Sequence, residues 1–331
     1  MPKPMRLSSQ NAGINPYANY RLPGPLRNDE PGICGTTTPS VPSARPLNNL
    51  WQHYRDDHAI DTKTKRGIPW LMVPLHLAAD IILRHHRRYK IYNADPTMIT
   101  VQELGYRSYR VFGKRAGMPT FLSAVDSAGI HQAFLEVSVK SVSRYKVAFY
   151  FLSDSDPGSG KKIHTSRERQ EEHLREMVRG VNDILQPQAN VVFDLVKGPG
   201  ASITLAGNQG ASVTDEIFNA LPGHTNPVAD FHVFFVWAYG GSGNGDALAG
   251  TTLIDNHGYC VFEDGIPYRR EIQTLAHEAV HYLLLSFGFV NEHHTKSLGD
   301  LMYPRSGAYE FEAGTRLGRR YADIINPWDT V

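Results

Sequence analysis

The stretch HEAVHYLLLSFGFVNEHHTKSLGDLMYP, residues 277–304, packs four histidines, two glutamates and a Met-Tyr-Pro run into 28 positions. His277 and His281 are four apart, so on a helix both imidazoles share one face and can reach a single ion. Glu278 stands beside the first histidine, where a carboxylate can take the proton of a metal-polarised water. Ile272, Leu275, Ala276, Ala279, Val280, Leu283 and Leu284 supply apolar contacts around these groups. They predict a helix buried on several sides and polar only where a metal sits. The competing reading is an ordinary helix with two histidines, because HExxH also arises by chance.

Two histidines and a water leave zinc one protein ligand short. Glu292, His293 and His294 follow Gly288 in a short loop and offer three candidates for that position. Met302, Tyr303 and Pro304 come next.

Here the sequence resembles the metzincin clan of zinc endopeptidases, and within it the matrixin pattern HExxHxxGxxH followed by a methionine turn reading LMYP. In that pattern the third histidine precedes Ser or Thr, and the methionine lies eight residues after it. His294 precedes Thr295 and lies eight residues before Met302, so the resemblance favours His294 as third ligand, with His293 and Glu292 as alternatives. The family glycine lies three residues after the second histidine, whereas Gly288 lies seven after His281. Four extra residues are about one helical turn, so a longer helix can still end on a glycine. A further three residues are inserted between Gly288 and His294.

The resemblance covers roughly residues 140–331 and implies an α/β (α+β) catalytic domain. Its parts would be a twisted mixed sheet with an antiparallel edge strand, two long helices, a Met-turn and a closing helix. It implies Zn2+ as cofactor, Glu278 as general base, Met302 as an apolar floor beneath the metal, and Pro304 in the wall of the specificity pocket. Ser306 stands where the family has a tyrosine, which leaves pocket depth open. The implied reaction is hydrolysis of a peptide bond within a protein or peptide substrate. Rival readings are an exported bacterial effector or toxin protease acting on one protein or on peptidoglycan cross-links, and a non-catalytic zinc protein that kept the fold.

Net charge is +1, which gives no electrostatic pull toward nucleic acid or acidic lipid. Two cysteines, Cys34 and Cys260, make no disulfide framework. Cys260 falls in a β-forming stretch and reads as buried apolar filler. Cys34, in PGICGTTTP, resembles the prodomain cysteine of matrixins only in being a lone cysteine beside a glycine; a free thiol is the default. The first residues, MPKPMRLSSQNAGINPYANYR, are basic without an apolar run, so no conventional secretory signal is expected. Cytoplasmic residence and signal-independent export both fit.

Residues 1–48, rich in Pro, Gly, Asn and Ser, read as an extended arm. Residues 49–138 form a region of unassigned role, with a helix start at Trp51 and a helix over 74–90. The apolar run IPWLMVPLHLAADIIL, residues 68–83, is too short and too interrupted by proline, His76 and Asp80 to span a membrane. Residues 139–331 form the catalytic region. Strands are expected over 145–152, 190–196, 230–239 and, irregular or at an edge, 251–263. A helix capped by Thr165 or Ser166 and stopped by Pro187 lies between the first two, and a last helix capped at Thr315 closes the chain. SDSDPGSGKK, residues 153–162, imitates a phosphate loop, but Ser155 replaces the first glycine and Lys162 the required Ser or Thr, so it reads as a solvated turn.

Overall fold

The computed structural model describes residues 33–36, 70–83, 89–105, 108–129, 131–156, 158–196, 200–206, 221–240, 249–266, 268–289, 294, 301–302 and 317–327. It is a mixed α+β protein with three helices and several sheets among these residues. The chain divides into two compact units between Val139 and Lys140, with residues 41–45 grouped with the second.

The first unit is built of strands. They are β1 (Ile33–Thr36), β2 (Trp70–Pro74), β3 (Ala78–Leu83), β4 (Lys90–Asn93), β5 (Ile99–Gly105), β6 (Ser108–Gly113), β7 (Thr120–Val125) and β8 (His131–Lys140). Two four-stranded sheets result, in the orders β1-β3-β6-β5 and β2-β8-β7-β4. Leu71, Val73, Ile81, Ile99, Val111, Leu122, Leu135 and Val137 share one core.

The helix expected over 74–90 is instead two strands. In β3 Ala79 and Ile81 are fully buried while Ala78 and Asp80 are half-buried, a period of two, and β2 is buried continuously over Trp70–Val73, too short for a helix before the reversal. His76 turns the chain at φ 63, and its N–H donates to the Gly113 carbonyl at 2.8 Å. A side chain at Gly113 would meet the Pro74 carbonyl at 2.8 Å, so glycine allows the close crossing. Asp80, outside this core, accepts two bonds from Arg110 at 2.7 and 2.9 Å. The arm read over 1–48 lies outside the described residues except for β1, which pairs antiparallel with β3 and carries Cys34 opposite Ile82. The Trp51 helix start also lies outside them.

The second unit has a seven-stranded mixed sheet. Its strands are β9 (Ser143–Ser155), β10 (Lys162–Thr165), β11 (Val191–Leu195), β12 (Ala201–Ala206), β13 (Phe231–Val236), β14 (Ala249–Ile254) and β15 (His257–Glu263). The long β9 runs parallel to β11, β12 and β13, and β13 runs parallel to β15. β14 is antiparallel to β15 and ends the sheet. Parallel strands buried on both faces read as unbroken apolar runs, which is why YKVAFYFL and FHVFFV carry no alternation. Three helices complete the unit: α1 (Glu171–Ala189), α2 (Tyr268–Ser286) and α3 (Arg319–Ile325). Among the described residues no helix is long and apolar enough to cross a membrane.

Several boundaries differ from expectation. The strand expected over 251–263 is a hairpin, because Asp255 (φ 48) and Asn256 (φ 66) both take the left-handed conformation of a tight two-residue turn. The glycine-rich 153–162 loop also closes a hairpin, with Asp156 N–H donating to the Lys161 carbonyl at 2.9 Å, so a strand rather than a helix follows it. Thr165 and Ser166 do not cap α1: Thr165 belongs to β10, Ser166 N–H donates to the Leu152 carbonyl, and the cap position is Gln170. Pro187 lies inside α1, in a last turn where it removes only one helical bond. The helix ends two residues later at Ala189 and is capped by Asn190, which takes the left-handed conformation and donates its N–H to the Gln186 carbonyl. The last helix begins after Gly318; Thr315 lies outside the described residues.

Candidate metal centre

α2 carries the first two histidines and is held at both ends. Near its start Arg169 donates to Asp264 at 2.9 Å and to Glu271 at 2.8 Å, while its guanidinium lies 3.6 Å from the centre of the Phe235 ring. At its end Gly288 adopts φ 82. Its N–H donates to the Leu285 carbonyl and that of Phe289 to the Leu284 carbonyl, both at 2.9 Å. This paired closure is the usual glycine stop of a helix. The helix therefore runs past His281 and ends on Gly288, as the enlarged spacing requires.

His277, His281 and His294 converge, each offering a ring nitrogen within 4.8 Å of the others. His277 Nδ1 lies 2.6 Å from the Leu301 carbonyl. A carbonyl only accepts, so Nδ1 carries the proton and Nε2 presents a lone pair. That Nε2 faces His281 Nε2 at 2.9 Å. Two ligands of a tetrahedral zinc sit roughly 3.3 Å apart at bond lengths near 2.05 Å, so a small opening of the pair accommodates an ion. The carbonyl behind His277 fixes ring orientation in the manner of an outer-shell partner. The donor set thus fits a metal ion, and three imidazoles suit zinc, copper or nickel alike. Of the three candidates for third ligand, His294 is placed in the cluster, and its exposed ring lies 5.3 Å from that of His277 and 4.9 Å from that of His281. Glu292, His293, Tyr303 and Pro304 lie outside the described residues. Met302 is fully buried beside Leu301.

Glu278 is buried, and burial pushes its carboxyl up to about 7 while a hydrogen bond from Thr251 pulls the other way. Thr251 Oγ1 donates to Glu278 Oε2 at 2.6 Å. Cys260 is the cross-strand neighbour of Thr251, fully buried and free; burial and then the Glu278 charge push its thiol well up. Thr251, Cys260 and the Leu301 carbonyl escaped sequence reasoning. Leu301 opens the LMYP run but its carbonyl carries no sequence mark, and only the β14–β15 register brings Thr251 and Cys260 beneath Glu278.

No family model matches the chain, and no curated protein matches it.

Proposed function

We propose that the chain is a zinc-dependent endopeptidase of the metzincin kind. The observation that carries this reading is the convergence of His277, His281 and His294 beside a buried carboxylate, Glu278, with the Leu301–Met302 turn behind them. A mixed sheet ending in an antiparallel edge strand, two 19-residue helices and a buried methionine support it.

His277, His281 and His294 would hold Zn2+, which when bound supplies a Lewis acid for the carbonyl and acidifies a water. Glu278 takes the proton from the attacking water and hands it to the leaving amine, a role suited to a carboxyl whose affinity for protons is raised toward neutrality. Among the described residues no strand lies on the outer edge of β14, and its main chain would pair with an extended substrate. An edge that binds main chain at any point along a polypeptide favours cleavage within the chain over removal of end residues.

The test is zinc per chain by elemental mass spectrometry for the wild type and His294→Ala, followed by hydrolysis of unfolded casein with Glu278→Ala as control. About one zinc in the wild type, its sharp loss in His294→Ala, and cleavage that needs Glu278 support the reading. No zinc after metal-replete purification sinks it. Zinc without hydrolysis of any unfolded protein replaces it with a non-catalytic zinc protein.

A further inference from the structure

Resting on the peptidase reading above, we propose that Thr251 is the positioning residue for Glu278, fixing through one hydrogen bond which carboxylate oxygen faces the reacting water. Thr251 lies on β14 and Glu278 on α2, so the bond ties the substrate-facing edge strand to the metal-bearing helix. At 2.6 Å it is short, as expected for a hydroxyl donating to a carboxylate. Thr251 Oγ1 also lies 3.4 Å from the Glu278 main-chain carbonyl, but its single proton goes to the nearer, charged acceptor.

The consequence for Glu278 is geometric. Its Oε2 is engaged by Thr251, and Oε1 has no hydrogen bond to the described residues. A glutamate has three side-chain torsions, and without a second anchor its carboxylate can turn either oxygen, or neither, toward the water. A buried carboxylate also needs a donor to offset its lost hydration, and Thr251 is the donor that meets it. The neighbours cannot substitute. Cys260, beside Thr251 in the hairpin, offers only a weak S–H donor, and its sulfur is directed at the Val261 carbonyl at 3.7 Å. Proton transfer depends on a carboxylate oxygen standing within hydrogen-bond reach of the water. The Thr251 hydroxyl therefore acts on the rate of the chemical step through Glu278, while only the main chain of β14 belongs to the substrate-binding edge.

The test compares whole-chain Thr251→Val and Thr251→Ser. Valine keeps the shape and strand preference of threonine and removes only the hydroxyl. With zinc-loaded protein and labelled casein, Thr251→Val is expected to lower kcat on the order of tenfold to a hundredfold, inside the range set by general-base catalysis itself. KM and zinc per chain stay at wild-type values, and Thr251→Ser recovers most of the rate. Unchanged kcat in Thr251→Val overturns the assignment. So does a serine variant as impaired as the valine variant, because restoring the hydroxyl would then not restore the rate. A second readout needs no turnover: the denaturation midpoints of metal-free wild type, Thr251→Val, Glu278→Met and the double variant. Non-additive shifts are expected, and additive shifts overturn the hydrogen bond. If zinc-loaded wild type fails to cleave casein, the peptidase reading falls, while the metal-free cycle still decides the Thr251–Glu278 bond.

Discussion

Replacing Gly180 by alanine sets two known effects against each other. Gly180 lies in the middle of α1, where alanine normally stabilises a helix by about 1 kcal/mol. Here, however, α1 crosses α2 at this residue. A Cβ would lie 2.6 Å from Ile272 Cδ1, 2.7 Å from Cγ2 and 3.0 Å from Cγ1. Carbon atoms attract best at roughly 3.5–4.0 Å, so a gap of about 1 Å must open. Two of the three atoms sit on the Ile272 Cβ, and a β-branched side chain on a helix has one strongly preferred χ1. Turning χ2 moves only Cδ1, so the helices themselves must separate. Overpacking of this kind costs about 1–3 kcal/mol, which offsets the propensity gain and leaves a net loss of up to about 2 kcal/mol. In an Ile272→Ala background all three obstructing atoms are gone, and the same Gly180→Ala change should stabilise. Amide hydrogen exchange of α1 and α2 peptides, read by mass spectrometry, gives the sign in each background. Increased protection on Gly180→Ala in the wild-type background would refute the packing argument.

Three further outcomes follow from buried polar groups. Burial, and then the nearby His257, push His232 down to about 4 from 6.5. Above 6.5 both the folded and unfolded forms are neutral there, and as pH falls toward 4 only the unfolded chain takes the proton. Stability of the second unit should drop by about 2–3 kcal/mol more in the wild type than in His232→Gln between about pH 7.5 and about pH 4.5; equal pH dependence in unfolding curves would contradict this. Arg169→Met leaves the buried Glu271 with His173 alone beside it and the half-buried Asp264 without its guanidinium, and should cost about 3 kcal/mol in thermal unfolding, whereas a loss under about 1 kcal/mol would show the Arg169 pairs to be dispensable. Cys260 should resist alkylation in the native chain and react once unfolded; modification of its peptide at the rate of a free thiol would show that β15 opens readily.

The histidine-bearing helix was legible because two independent signals agree. The four-residue histidine spacing sets a face, and Gly288 supplies the left-handed stop that a helix one turn longer needs. Buried strands β9, β11 and β13 were legible from apolar runs bounded by polar turns. Residues 70–83 were not. A run this apolar fits a helix or two strands, and only the reversal at His76, a residue with no local mark of left-handed backbone, decides between them. The 255–256 turn hid for the same reason, since Asp-Asn without glycine gives a weak hairpin signal. Strands β10 and β12 are short and owe their existence to pairing with β9, a long-range contact that no local pattern announces.

What joins these observations is the placement of one hairpin under one helix. β14 and β15 put Thr251 and Cys260 side by side, and α2 lays Glu278 over them. A carboxylate there is costly on its own, because its surroundings are apolar and one hydroxyl is its only hydrogen-bond donor among the described residues. The same turn of α2 brings the Nε2 atoms of His277 and His281 to 2.9 Å, and the Leu301 carbonyl fixes the tautomer of His277 from behind. A buried carboxylate with a single donor is unfavourable alone, whereas two imidazoles joined by one N–H donated across the pair are not. A cation held among the imidazoles would favour the charged form of Glu278. It is therefore the burial of Glu278, and not the histidine pair, whose cost the proposed metal would offset.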